Sequence, residues 1–107
     1  MARSRGNKLK PNSGSDRPEP VRFTIEFAPS ARRQLADIPA RFRAQIVAKI
    51  DGLKIDPKPG GASPVRGSPG AYRIKSGDYR IIYVIERERL IVMVFKIGDR
   101  KDVYEGL

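Results

Sequence analysis

Four stretches of the chain alternate apolar with polar residues or form short apolar runs, and each predicts a β-strand. The first, Val21 to Phe27, places every second side chain on an apolar face, as in a half-buried strand. The other three are Ala71 to Lys75, Asp78 to Ile85 and Leu90 to Ile97. Only a short turn or a polar reversal separates these three, so they predict an antiparallel meander.

Between the first and second strands, apolar residues recur at helical spacing. They fall at i, i+4 and i+7 in the stretch from Pro29 to Ile38, and a second apolar face runs from Ala40 to Ile55. Pro39 separates the two stretches, which together predict a helix hairpin. Residues Lys58 to Gly70 are rich in glycine and proline and predict an irregular loop.

Residues 1–20 differ in composition from the rest of the chain. They are mostly Arg, Lys, Gly, Ser, Asn and Pro, and Leu9 is their only large apolar residue after Met1. Such a segment cannot bury enough apolar surface to offset its ordering entropy, so we expect a disordered basic extension. Residues 21–107 are expected to form one α+β domain. In it, the N-terminal strand and the three-stranded antiparallel meander form one sheet, with the helix hairpin on one face.

The balance of charges points to a polyanionic partner. The 107 residues include 22 Lys or Arg and 12 Asp or Glu, which gives a formal net charge of +10. Nucleic acid is the usual partner of so basic a domain. The alternatives are a membrane surface and a basic surface that only keeps the protein soluble.

Several kinds of chemistry are excluded by residue types that the sequence lacks. It contains no Cys and no His, which excludes disulfides, thiolate metal sites, His-based triads and imidazole acid–base pairs. We therefore expect no metal and no cofactor, and any catalysis must use Lys, Arg, Tyr or the remaining polar side chains. The sequence has no apolar run of membrane-spanning length and no signal-peptide core, so a cytoplasmic location is expected.

The first turn of the meander predicts which side chains share a face. If the loop is the dipeptide Ser76-Gly77, Arg73 lies directly opposite Arg80. Like charges in that arrangement are unfavourable, and a function is one reason to keep them. Four polar residues then share one face of the hairpin: Arg73, Lys75, Asp78 and Arg80. The opposite face carries Tyr72, Ile74, Tyr79 and Ile81.

The last two strands are apolar on both faces, so both faces need to be covered. A second turn at Arg87-Glu88 would place Phe95 on the same face as Arg80. The helix hairpin covers one face of the sheet. The other would be closed by the C-terminal segment or by a partner protein.

The order of these elements and motifs resembles that of a known protein superfamily. The sequences YRIKSGDYRIIYVI and GDRKDVY follow a strand, a helix hairpin and a Pro/Gly loop that contains an Arg-Gly pair. From Val21 to Tyr104 this pattern resembles the RelE/ParE superfamily of toxins from bacterial toxin–antitoxin pairs. The resemblance implies an antiparallel sheet with a helix hairpin on one side. RelE-like members are ribosome-dependent endoribonucleases that cut mRNA in the ribosomal A site, whereas ParE-like members poison DNA gyrase and lack the RelE cations.

The resemblance to RelE-like members implies a site of cations and one tyrosine. Arg73 departs from the common pattern, because Lys is usual at that position of the second strand. The implied catalytic residues are Lys75, Arg80, Arg100 and Tyr104, and the implied substrate-binding residues are Arg66 and Arg73.

RNA can be cleaved by its own 2′-hydroxyl, which attacks the adjacent phosphorus. An enzyme must take the hydroxyl proton, stabilise the charge added to the phosphate and protonate the departing 5′-oxygen. Neighbouring cations make a lysine ammonium release its proton more readily, so Lys75, with two arginines on its face, is the candidate base. Arg66 and Arg80 would stabilise the phosphorane charge. Arg100 would assist the leaving oxygen, and Tyr104 would stack on a base or assist proton transfer.

Three functions remain open at this point: a ribosome-dependent mRNA endonuclease, a topoisomerase-inhibiting toxin of the same fold, and a non-catalytic nucleic-acid-binding module. A toxin would need a cognate antitoxin that covers its apolar strands and cations. It would reach operator DNA only through that antitoxin. Its other partners would be mRNA and the ribosome, and no membrane is expected among them.

Overall fold

The computed structural model describes residues 21–99 and residue 101 of the chain. These residues form two helices and one five-stranded sheet. The predictions for residues 1–20, Arg100 and Tyr104 lie outside the described residues. Neither helix in the described part is long and apolar enough to cross a membrane. In chain order the elements are β1 (Thr24–Phe27), α1 (Pro29–Asp37), α2 (Ala40–Gly52), β2 (Ser63–Pro64), β3 (Ala71–Ser76), β4 (Tyr79–Glu86) and β5 (Ile91–Asp99).

The α+β class expected from the sequence is confirmed, and the sheet has two further features. Its strands lie in the order β1-β5-β4-β3-β2. The meander of β3, β4 and β5 is antiparallel, as expected, but β1 pairs with β5 in parallel. Ser63 and Pro64 form a short edge strand inside the loop that was expected to be irregular. Proline is tolerated in this strand because an edge position does not require its missing N–H.

Two prolines and one arginine define the helix hairpin. α1 begins at Pro29, where the fixed φ of proline suits the first helical turn, and α2 begins directly after Pro39. Arg43 of α2 reaches back to the end of α1. Its Nη2 atom donates to the carbonyl oxygens of Ile38 at 2.9 Å and Ala36 at 3.3 Å. This side chain therefore satisfies carbonyl groups that the end of α1 leaves without helical partners.

The core lies between the helix hairpin and one face of the sheet. Tyr83 is fully buried at its centre, and its hydroxyl donates to the carbonyl oxygen of Pro57 at 2.7 Å. α2 ends at Gly52, earlier than predicted, so Pro57 lies in the loop that follows the helix. The hydrogen bond from Tyr83 fixes this loop to the sheet. Burial, together with the nearby charge of Asp56, raises the pKa of Tyr83 to about 12. The strands contribute Ile74, Ile81, Tyr83, Val92, Val94 and Ile97 to the core, and the helices contribute Ala31, Ile46 and Ile50.

One irregularity in β5 changes which of its residues face which side. Ile82 of β4 pairs with Lys96, whereas the next pair along β4 involves Val94. Phe95 is therefore an additional residue in β5, a β-bulge. The predicted turn at Arg87-Glu88 is wrong, because Glu86 pairs with Ile91. Phe95 has no partner in β4, and Lys96 lies opposite Ile82 on the face of Arg80. Phe95 itself is 47% exposed.

α1 contacts the part of β5 that β1 does not reach. β1 pairs with β5 only as far as Val94. Beyond that residue, the backbone N–H of Ile97 donates to the side-chain oxygen of Gln34 at 2.8 Å. The hydroxyl of Ser30 donates to the carbonyl oxygen of Phe95 at 3.5 Å. Side chains of α1 thus supply hydrogen bonds to backbone groups of β5 next to the bulge.

Candidate functional site

The hairpin between β3 and β4 turns one residue later than predicted. Its loop is Gly77-Asp78 instead of Ser76-Gly77. Gly77 has a φ of +60°, which glycine adopts without strain and which suits the first central position of a two-residue hairpin turn. The predicted pairing of Arg73 with Arg80 is therefore wrong.

The predicted faces of the hairpin are nevertheless confirmed for the strand residues, because a turn that moves by one residue leaves each of them on its own side of the sheet. Asp78, predicted on the face of Lys75, instead lies in the loop. Lys75 lies directly opposite Arg80, and Arg73 is on the same face of β3. The apolar residues between them point to the helices, so the cations lie on the open face. The bulge adds Lys96, opposite Ile82. We call Arg73, Lys75, Arg80 and Lys96 the cationic face.

The cationic face consists of two rows across the sheet. Lys75 and Arg80 form the row beside the turn, and Arg73, Ile82 and Lys96 form the next row. The rows are roughly 7 Å apart, since they are two residues apart along each strand. Ile82 is only 2% exposed, as expected for an apolar residue between two side chains with long aliphatic stems.

Arg80 is held against the turn by backbone groups. Its Nη1 atom donates to the carbonyl oxygens of Gly77 at 3.0 Å and Tyr79 at 3.1 Å. A guanidinium carries five N–H donors, more than these two bonds use. Lys75, opposite it, is exposed. The pair therefore presents two cations beside the turn, one of which is fixed in position.

The other residues predicted for the site are not brought into these rows. Arg66 is exposed and lies in the turn that leads into β3 at Ala71. Ala71 is about 13 Å along the strand from Lys75, so Arg66 lies at the opposite end of β3. Arg100 and Tyr104 are outside the described residues.

Lys96 is a residue of this face that sequence reasoning missed. Strict alternation along β5 assigns it to the core side, and nothing in the apolar run marks the bulge at Phe95. The one available signal was the lysine itself, because an unpaired charge in the core is costly and a lysine in an apolar strand favours an open position.

Beyond the cations, the same face becomes apolar. The next row joins Ala71, Val84 and Met93, and Val84 and Met93 are half-buried. Among the described residues, no group of acidic side chains is placed to hold a metal ion. The open face is therefore cationic near the β3–β4 turn and apolar farther from it, an arrangement that can bind phosphate groups without a metal.

Known proteins share this sequence pattern. Residues 25–104 match the family model described as the ParE toxin of type II toxin–antitoxin system, parDE. Toxin RelG of Mycobacterium tuberculosis is 31% identical over 83 residues, which cover 77% of this chain and 95% of RelG. The mRNA interferase toxin RelE of Escherichia coli K12 is 28% identical over 86 residues, which cover 77% of this chain and 90% of RelE.

Solved structures share the fold. The toxin–antitoxin complex RelBE2 from Mycobacterium tuberculosis matches with a TM-score of 0.68 at 30% identity, over 78% of this chain and 98% of that chain. The isolated RelE toxin of Escherichia coli matches with a TM-score of 0.65 at 25% identity, over 72% of this chain and 83% of that chain. The family model spans most of the strands and helices described above. This chain therefore belongs to the ParE toxin family of type II toxin–antitoxin systems, within the RelE/ParE superfamily.

Proposed function

We propose that this toxin is a ribosome-dependent endoribonuclease that cleaves translating mRNA. The observation that carries the proposal is the cationic face, in which Lys75 and Arg80 lie directly opposite each other beside the turn. The similarity to a protein named mRNA interferase toxin supports the same reaction. Because the chain has no His, its acid–base chemistry would depend on these cations and on tyrosine.

The reaction would begin when a 2′-oxygen attacks the adjacent phosphorus while its proton passes to the side-chain nitrogen of Lys75. Arg80 would stabilise the charge on the five-coordinate phosphate. Its bonds to the turn carbonyls hold it in place before substrate binds, as electrostatic catalysis requires. The bond to the 5′-oxygen then breaks, and Arg100 or Tyr104 would donate the proton to that oxygen. The products would be a 2′,3′-cyclic phosphate and a 5′-hydroxyl.

The second row of the cationic face would hold the flanking RNA. Arg73 and Lys96 lie one row from Lys75 on the same face, where they would contact neighbouring phosphates. Arg66 would bind the chain farther along, at the other end of β3. Phosphate contacts carry no sequence information, so these residues would account for affinity for mRNA and not for codon preference.

A cognate antitoxin would be the protein partner, and operator DNA would be bound only through it. Two structurally similar proteins were solved as toxin–antitoxin complexes, RelBE2 from Mycobacterium tuberculosis and RelBE from Escherichia coli. In this chain, the apolar surface around Val84 and Met93 lies next to the cationic face, which suits an amphipathic or acidic segment. Copurification from the native operon tests this partner, and the absence of a second small protein would count against it.

Inducible expression of Arg80→Ala tests the catalytic role. Wild type should arrest growth and leave codon-spaced cuts in polysomal mRNA. Loss of an electrostatic stabiliser lowers the rate of such a step about 100- to 1000-fold, so the variant should permit growth. Arg32→Ala, an exposed arginine of α1, is the matched control and should remain toxic. Full toxicity of Lys75→Ala, Arg80→Ala and Arg100→Ala would exclude the ribonuclease.

A second candidate is inhibition of DNA gyrase, and the match to the ParE family model favours it. ParE-like members of the superfamily lack the RelE cations, so this activity does not require the cationic face. Under this alternative, Arg80→Ala would stay toxic. Expression would then produce gyrase-dependent DNA breaks, and polysomal mRNA would remain intact.

A further inference from the structure

A groove runs along the free edge of β3, between this strand, α2 and the loop that follows α2. Its larger part encloses about 640 Å³ and reaches Gly52 at the end of the helix. A second part of about 470 Å³ continues toward the β3–β4 turn at Gly77. Ala48, Lys49 and Lys75 line both parts, so the two form one continuous surface.

Small residues keep this groove open. On the helix side it is lined by Gln45, Ala48, Lys49 and Gly52, which share one helix face at i, i+3, i+4 and i+7. Two of these four positions, Ala48 and Gly52, carry little or no side chain. A Cβ atom at Gly52 would meet no other atom within 4 Å, so packing does not explain the glycine. The space beside Gly52 is open to solvent, so a larger side chain there would narrow the groove.

The groove is positively charged. Lys49 comes from the helix wall and Lys75 from the strand wall, and the described residues that line the groove include no Asp or Glu. Asp51 of α2 faces the β1 side of the helix, where it forms an ion pair with Lys54 at 2.7 Å. On the β1 side, the charge of Asp51 is therefore neutralised by a lysine that follows the helix, whereas the groove side of α2 carries Lys49.

The backbone of β3 adds hydrogen-bond donors to the same wall. The carbonyl of Ala71 accepts from the N–H of Val65 on the β2 side, and Arg73 pairs with Ser63 of β2. Backbone groups of a strand alternate between its two edges. Lys75, the next residue in this alternation, directs both its backbone N–H and its carbonyl toward the groove, beyond the end of β2. Lysine side chains and backbone N–H groups are common ligands of nucleic-acid phosphates.

We propose that this groove binds the sugar–phosphate backbone of single-stranded RNA that continues from the cationic face around the edge of the sheet. Lys75 belongs to both surfaces, so a bound strand can pass from Arg80 to Lys49 along positive charge. The inference rests on the RNA substrate proposed above and adds Lys49 as a substrate-binding residue. An extended peptide that adds to β3 is the competing occupant, but the positive lining favours a polyanion.

Binding of a short fluorescein-labelled single-stranded RNA to the full chain, measured by fluorescence anisotropy, tests the proposal. Lys49→Ala should weaken binding about fivefold at 0.1 M salt and should lower the slope of log K against log salt by about 0.7, the value for one contact to a single strand. Lys54→Ala is the matched control, because it removes the same charge just past the end of the helix, on the side away from the groove, and it should bind as wild type does. Equal affinities of the two variants would overturn the proposal.

Gly52→Leu tests the groove without removal of a charge. The leucine side chain would enter open space, and leucine is a better helix former than glycine, so the melting temperature should not fall. RNA binding should weaken severalfold, because the added side chain occupies the path of the phosphate backbone. A stable Gly52→Leu variant that binds RNA as tightly as wild type would contradict the proposal.

Binding and cleavage report on the two proposals separately. If Lys49→Ala weakens RNA binding but translating mRNA is never cut by wild type, the groove is supported and the ribonuclease is not. If mRNA is cut but the Lys49 and Lys54 variants bind RNA equally, the groove proposal alone fails. It also fails if Lys49→Ala weakens binding of the antitoxin and leaves RNA binding unchanged.

Discussion

The hydroxyl of Tyr83 joins the centre of the sheet to the loop after α2. Tyr83→Phe removes the donor and leaves the carbonyl oxygen of Pro57 without that bond. We expect the free energy of unfolding to fall by about 1–3 kcal/mol, because a buried polar group loses its partner. Urea unfolding followed by circular dichroism measures the change. Tyr72→Phe, which keeps the stacked pair of rings with Tyr83, is the control and should cost much less.

The same tyrosine predicts a loss of stability in alkali. Burial raises its pKa from the ordinary value of 10.0 to about 12 in the folded protein. A group with a raised folded pKa contributes its full stabilisation below the unfolded pKa, here pH 10, and loses it as the pH rises through about 12. The difference in unfolding free energy between wild type and Tyr83→Phe should therefore shrink across that interval. A difference that stays constant with pH would contradict this assignment.

Side-chain positions on the sheet could be predicted wherever plain alternation holds. Arg73, Lys75 and Arg80 lie on the predicted face although the turn was placed one residue too early, because that error changes the pairing by two residues and keeps each side. Lys96 could not be placed on this face from the sequence, because the bulge at Phe95 interrupts the alternation. The residues of α1 that contact the bulge are distant in sequence, so no local pattern contains this information.

The hydrogen bond between Gln34 of α1 and Ile97 of β5 should stabilise the part of β5 that carries Lys96. Gln34→Leu keeps the bulk of the side chain but removes the acceptor for the N–H of Ile97. We expect the amide of Ile97 to exchange with solvent about tenfold faster, for a loss of about 1.4 kcal/mol. Hydrogen exchange followed by NMR measures this rate, and Arg33→Ala, an exposed neighbour, should not change it. An unchanged rate in Gln34→Leu would mean that other contacts hold β5.

RNA binding by the same variant tests whether this contact matters for the site. Lys96 precedes Ile97, so a looser β5 should present Lys96 less uniformly and weaken the affinity for RNA. The effect should be smaller than that of Lys96→Ala, which removes the charge itself. An affinity equal to that of wild type would show that the position of Lys96 does not depend on Gln34.

Helices and strands with local patterns could be predicted, and long-range pairing could not. The helix hairpin and the antiparallel meander depend on neighbouring residues, which periodicity and turn residues reveal. The parallel pairing of β1 with β5 joins Thr24 to Ile91, and no local pattern records a contact across that separation. The edge strand β2 was also missed, because it has two residues, one of them Pro64, in a loop rich in glycine.

Several cations lie close together beside the β3–β4 turn. The net charge of +10 follows from the sequence, but its distribution does not. The Lys75–Arg80 row borders the β3–β4 turn, and the groove with Lys49 adjoins the same turn. By contrast, Lys54 and Arg89 are paired with acidic residues. Cations grouped in this way attract polyanions over distances longer than a single contact. The same surface therefore suits both the proposed RNA substrate and the proposed acidic segment of the antitoxin.

If the antitoxin covers the cationic face, its association should depend on salt. Electrostatic steering raises association rates about 10- to 1000-fold, and salt screens it as the Debye length falls from about 10 Å at 0.1 M to about 3 Å at 1 M. The association rate constant measured by stopped flow should therefore fall at least about tenfold over this range. The dissociation rate should change less, because contacts at Val84 and Met93 are apolar. Lys75→Ala should reduce the salt dependence, whereas Lys54→Ala should not. An association rate independent of salt would mean that the apolar surface alone selects the antitoxin.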